Sequence, residues 1–201
     1  MKNSAYSSAH PDVPLDSTGS GTWSASWQSI AQSRAWFLLL TVIGCASSVT
    51  YAHPPLVAFA AIAGTTLKPK SALGSALTVW LASQLYGYVL RGYPHTSESL
   101  IWGLVMGLGM LAVVLLAALR PDFSRRRASG HAAWVAIALS VGFLIFEGLV
   151  LSCGFLLTGT HVFTGATLAL LLFKETLWTI ALAALHGFLA WRKTGVMTAS
   201  S

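Results

Sequence analysis

Residues 99–119 read SLIWGLVMGLGMLAVVLLAAL, an uncharged apolar run closed by Arg120. As a helix rising 1.5 Å per residue it reaches about 30 Å, the thickness of a bilayer's hydrocarbon core, so the run marks a membrane-crossing segment. The rest of the chain agrees: 55% of its 201 residues are hydrophobic and 9% charged, where an ordinary soluble domain carries about 25% charged. Mean hydropathy is +0.68. The net charge of +6 does not point to nucleic acid, because the basic residues stand in short clusters between apolar runs and on no polar face.

Working outward, further apolar runs cover 35–51, 54–67, 71–90, 132–157 and 165–191, each bounded by Pro, Gly or charge. The expected fold is an all-α membrane protein, a six-transmembrane-helix bundle with both termini cytoplasmic. The second run is the short one, about 20 Å as a helix, and is expected to be tilted, sunk behind its neighbours or paired with the first as a re-entrant segment. His53-Pro54-Pro55 separates these two firmly, since Pro donates no hydrogen bond to the preceding turn and restricts the residue before it. The region 131–193 reads either as two long helices or as three shorter ones, and charge decides. With six spans and the N-terminus inside, Lys2, Arg34, Lys68, Lys70, Arg120, Arg125, Arg126, Arg127, Arg192 and Lys193 all fall on the cytoplasmic side and Arg91 alone outside. A seventh span would export Arg192 and Lys193.

The domain plan follows. Residues 1–33, rich in Ser, are expected as a disordered cytoplasmic tail, with an interfacial helix at 23–34 presenting Trp23, Trp27 and Ile30 on one face. Residues 34–193 form the membrane domain, and 194–201 a short cytoplasmic tail. The setting expected is a bacterial inner membrane, crossed several times. Gly103 and Gly107, and Ala72 and Ala76, have the spacing that lets helix backbones approach closely, either inside the bundle or against a membrane protein partner.

A charge within a membrane helix costs at least about 2.5–3.5 kcal/mol and needs a partner or a task. Three are present: Glu147, Lys174 and Glu175. The topology puts them at similar depth in the outer half of the bundle. Neighbouring helix residues point about 100° apart, so Lys174 and Glu175 are not expected to face Glu147 together. A Glu147–Lys174 pair that only fixes register is the structural alternative. Gln84, Tyr88 and Arg91 share one face of the third helix, below a loop with His95, while His53 and His161 sit at outer helix ends. These residues, with Trp178 as an apolar wall, make up the expected solute site: Gln84, Tyr88, Arg91, His95, Glu147, His161, Lys174, Glu175 and Trp178. Metal ligation is open, with Cys45, His53 and Cys153 as the candidates and no cofactor identified. His131 and His186, both near the inner face, keep a haem or inner metal site in view. No HExxH, GxSxG, P-loop or intramembrane Asp pair is present, so no enzyme activity is expected.

In size, topology and placement of polar groups the chain resembles the substrate-binding S components of energy-coupling-factor vitamin transporters. The small-residue pattern such proteins turn toward a membrane partner appears here as Ala72 and Ala76. It is similar also to the solitary small cobalamin transporters of proteobacteria, in which a cysteine ligates cobalt, a role the resemblance would give to Cys45 or Cys153. The function expected is binding and uptake of a small solute, vitamin-like or corrinoid-like and metal-containing in the latter case. The alternative is an accessory or assembly subunit of a larger membrane complex, its buried charges purely structural.

Overall fold

The computed structural model describes residues 18–158 and 164–199, with side chains for 25–157 and 164–192. The described chain is all α: α1 Thr18–Ala31, α2 Arg34–Thr50, α3 Leu56–Thr66, α4 Pro69–Val89, α5 Ser97–Ala118, α6 Asp122–Arg126, α7 Ala128–Thr158 and α8 Gly165–Ala199. All six expected helices are there as α2, α3, α4, α5, α7 and α8. Three of them, α5, α7 and α8, are long and apolar enough to cross a membrane, and the bent pair α1–α2, with 59° between its arms, makes a fourth candidate span. α3 is too short, and α4 is diluted by Lys70, Ser71, Ser75, Thr78, Ser83 and Gln84. The protein is thus a helical, multi-pass membrane protein with three to four candidate spans.

The short helix α3 is the centre. Its sequence, LVAFAAIAGTT, is apolar or small all round, the signature of a helix with no solvent face. Every residue of it is buried, with α1, α2, α4, α5, α7 and α8 all touching it. Of the three geometries expected for this segment, it is sunk behind its neighbours. Thr65 and Thr66 return their hydroxyls to the carbonyls of Ala61 and Ile62, so no side-chain polar group is stranded there. The core around it contains Trp36, Leu40, Phe59, Ile62, Val79, Met110, Val113, Val114, Ala138 and Phe143. Outward-facing apolar side chains such as Leu104, Leu108, Leu144, Leu170, Leu177 and Ile180 are exposed, as a lipid-facing surface requires.

A helix of 11 residues is about 16 Å long, so its unsatisfied backbone groups lie where water is scarce and need partners from the protein. The N-terminal end receives Glu175 of α8, whose Oε2 accepts the Ala58 N–H at 2.8 Å. The C-terminal end receives Arg120, which donates from Nε to the Gly64 carbonyl at 2.8 Å and from Nη2 to the same oxygen and to the Leu67 carbonyl. An acidic side chain stands at the positive pole of the helix dipole and a basic one at the negative pole. Arg120 adopts a left-handed backbone, φ 43°, at the α5–α6 turn. That conformation costs on the order of 1–2 kcal/mol for a residue with a Cβ, and the hydrogen bonds it makes available offset it.

Several expectations need correction. The helix expected at 23–34 begins at Thr18, ends at Ala31 and packs on the bundle against α8, α6 and α3, with Ser26, Ile30 and Ala31 buried. Ser33 breaks it and caps α2 by accepting the Trp36 N–H. α8 continues through most of the expected C-terminal tail to Ala199, no Pro being present to stop it. Gly103, Gly107, Ala72 and Ala76 are all buried within the bundle. A Cβ at Gly107 would lie 2.7 Å from the Trp80 ring, and one at Gly103 would strike the Gln84 carboxamide. Gly103 and Gly107 therefore serve internal α4–α5 packing, and none of the four offers a surface to a partner. The tail 1–17 and the turn 159–163 lie outside the described residues, as does the side chain of Trp23.

Candidate functional site

The break Tyr51–Pro55 frees α3 from α2 and opens the bundle at one end. There α4 finishes, α5 begins, and the second half of α7 and the first half of α8 come past. Two chambers lie side by side around the break. The first, of about 330 Å³, is bounded by Ser48, Tyr51, His53, Gln84, Tyr88, Arg91, Tyr93, Glu98, Ser99 and Trp102. The second, of about 310 Å³, is bounded by Glu147, Lys174 and Glu175 together with Phe146, Val150 and Leu171. His53, Pro54, Leu56, Trp102 and Met106 belong to the walls of both.

In the first chamber, the i, i+4, i+7 spacing of Gln84, Tyr88 and Arg91 brings all three to one lining, as the helix period dictates. The Tyr88 hydroxyl pairs with Ser99 Oγ at 3.0 Å, tying α4 to the start of α5. Arg91 donates to the Ser48 and Val49 carbonyls at 3.1 and 3.2 Å, closing the C-terminal turn of α2, and its guanidinium lies 5.2 Å from the Tyr86 ring centroid. The rim is aromatic: Tyr88 packs with Tyr93 at 6.1 Å and with His95 at 5.3 Å. Trp80, behind the wall, donates its indole N–H to the Gly103 carbonyl at 2.8 Å.

In the second chamber the three intramembrane charges converge. Lys174 donates to the His53 carbonyl at 2.5 Å and lies 5.8 Å from the Tyr51 ring centroid. Glu175 caps α3 and still forms part of the wall. Glu147, 8% exposed, stands on the facing helix. Lys174 and Glu175 both reach this chamber although consecutive residues diverge, because they straddle the N-terminus of α3. In place of the simple Glu147–Lys174 register pair weighed as the structural alternative, the three residues border one chamber and Lys174 donates to a backbone carbonyl. His53 sits at the shared mouth. Partial burial first, and then the cations Lys174 and Arg91, hold its imidazole below the ordinary histidine value.

Of the nine residues expected in a solute site, Gln84, Tyr88, Arg91, Glu147, Lys174 and Glu175 line the chambers. His95 is at the rim, stacked on Tyr88. Trp178 is not in the lining: it packs α8 on α3, 5.5 Å from Phe59 and 6.3 Å from Tyr51, because its position on α8 faces the buried helix. His161 lies outside the described residues. Sequence reasoning missed Tyr51, Tyr93, Glu98, Ser99, Trp102 and Met106, and missed Arg120 as a cap. The Pro54-Pro55 break was the signal for Tyr51 and its neighbours, since the end of a broken helix is where a cavity forms.

The metal candidates do not assemble. Cys45 belongs to the α2–α4 seam, its Sγ 4.0 Å from the Thr78 carbonyl, and of the three candidates only His53 lines a chamber. Among the described residues no three of His, Cys, Asp and Glu form a group able to hold a metal. His131 and His186 do come together at the opposite end, ring centroids 5.6 Å apart, in a packed cluster with Trp27 and Trp36. His186 is 1% exposed and His131 9% exposed there. Comparison of the chain with protein-family models, curated proteins and solved structures returns no match.

Proposed function

We propose that this is a membrane protein that binds a small polar solute in the paired chambers around His53 and takes it up across a bacterial inner membrane. The single observation behind this reading is the convergence of Glu147, Lys174, Gln84, Tyr88 and Arg91 on two adjoining cavities at one end of an otherwise apolar bundle. Buried charge is costly in a membrane, and charge that borders a cavity is more readily explained by a ligand than by packing. Volumes just above 300 Å³ stand at the lower end of the range for small-molecule sites. They favour a solute of one or two rings over a corrinoid macrocycle. Tyr51, Tyr88, Tyr93 and Trp102 would enclose its apolar part, Gln84 and Tyr88 would hydrogen-bond it, and Glu147 would meet a cationic or proton-donating group. Glu175 and Arg120 are assigned structural work on α3.

The clustering of Arg34, Lys68, Lys70, Arg120, Arg125, Arg126 and Arg127 at the other end supports a cytoplasmic location for that end, which turns the chambers outward. Six spans with both termini inside fit this arrangement, with α3 as a buried half-span. The resemblance to vitamin-transporter S components lends support through topology alone. To test the reading, small molecules are extracted from the purified protein and identified by mass spectrometry, and affinity is measured for Glu147→Gln, Gln84→Leu and the chamber-filling Met106→Trp. One molecule should recur at near-stoichiometric amount, and the three variants should lose it by tenfold or more. An unchanged extract from all three would overturn the proposal and leave the accessory-subunit reading, in which the cluster only sets helix register.

A further inference from the structure

We propose that the cavity between the starts of α2 and α4, at the end opposite the chambers, holds the phosphate headgroup of an anionic phospholipid. It measures about 420 Å³, and Arg34, Lys68, Lys70, Ser33 and Ser71 line it together with Phe37. Three cations meet there on exposed side chains. The one described acid at this end of the bundle is Asp122, on α6, and it does not line the cavity. The local field therefore favours an anion, and a basic pocket between membrane helices at the cytoplasmic face suits a lipid phosphate. Lys68 stands at the N-cap of α4, where its ammonium, a donor without an acceptor, makes no capping bond.

The occupant is a lipid because of what continues from the pocket. One and two turns further along the same helices, Leu38 and Val42 of α2 and Leu77 and Leu81 of α4 are 57%, 63%, 40% and 49% exposed. Acyl chains would lie along this apolar surface while the headgroup occupies the cavity, an arrangement that free phosphate could not exploit. The site lies away from the solute chambers and stands whether or not they bind anything.

The test uses the full chain in detergent, titrated with phosphatidylglycerol, phosphatidylcholine and inorganic phosphate and read by native mass spectrometry. One phosphatidylglycerol should bind in preference to phosphatidylcholine. At about fivefold per cation near a membrane surface, Lys70→Gln should weaken it about fivefold and Arg34→Gln/Lys68→Gln/Lys70→Gln far more. The control Arg125→Gln/Arg126→Gln/Arg127→Gln, which removes three cations from the same end outside the pocket, should stay within about twofold of the unaltered protein. Lys70 is exposed, so its single variant decides the matter if the triple variant fails to fold. Equal losses in both triple variants, no loss in Lys70→Gln, or equal binding of phosphatidylcholine would overturn the proposal. So would inorganic phosphate displacing the lipid at millimolar concentration, which would make the pocket a free-phosphate site.

Discussion

The two ends of α3 pose the same problem and solve it with side chains of opposite kind, an acid and a base. At its N-terminal end a carboxylate, Glu175, takes up the Ala58 N–H and borders a chamber. At its C-terminal end a guanidinium, Arg120, takes up the Gly64 and Leu67 carbonyls and is roofed by Trp27 of α1, 5.1 Å from its ring centroid. Trp36 seals the same end by donating its indole N–H to Thr66 Oγ1 at 3.0 Å. Electrostatic matching to the helix dipole is thus common to both ends, and access is what differs. Capping fixes the helix, whereas the presence or absence of α1 decides whether the capping group also borders a chamber.

That contrast is open to direct attack. Arg120→Met should be the most damaging change, costing on the order of 3 kcal/mol because buried carbonyls lose a charged donor, seen as a lowered denaturation midpoint in detergent. Glu175→Leu should cost about 2 kcal/mol as a lost helix cap, while Glu175→Gln, which keeps an acceptor for Ala58, should recover most of it. If Gln proves as harmful as Leu, the cap is not what Glu175 supplies. Trp36→Phe removes one neutral hydrogen bond and should cost about 1 kcal/mol, with no effect on solute affinity at the far end.

The smallest effect expected is in pH dependence. His53 titrates below its unfolded value, so the unfolded chain binds the proton more readily, and its contribution, intact above about pH 6.5, declines as the pH falls below that. His53→Gln should flatten the slope of the midpoint between pH 7.5 and 5. Burial, and next the neighbouring Arg125, lower Arg120 to about 10, so it remains charged throughout that range and Arg120 itself should add no slope.

The helices were legible because apolar runs and their breaks are local features. Residues 99–119 and 165–191 became α5 and α8, and the Pro54-Pro55 break separated α2 from α3. Helical spacing likewise brought Gln84, Tyr88 and Arg91 to one wall. What could not be read is what depends on distance across the bundle. Arg120 reads as a topology signal after an apolar run, and only the return of the chain at a left-handed residue brings it under α3. Trp178 shares an amphipathic look with wall residues, yet its face of α8 meets Phe59. Gly103 and Gly107 present the spacing of an interface, and whether the neighbour is α4 or another protein is a tertiary fact. Trp27 and Ile30 pointed to an interfacial helix, and the packing of half-buried Trp27 and buried Ile30 against the bundle comes from the bend between α1 and α2.

The most direct test of an open polar end facing outward and a closed basic end facing the cytoplasm is thiol labelling of single-cysteine variants in intact cells. In a Cys45→Ser/Cys153→Ser background, Gln84→Cys should react with a membrane-impermeant maleimide added outside, and Lys68→Cys only after permeabilisation. Labelling of Lys68→Cys from outside, or a Gln84→Cys that stays unreactive in both conditions, would contradict the account.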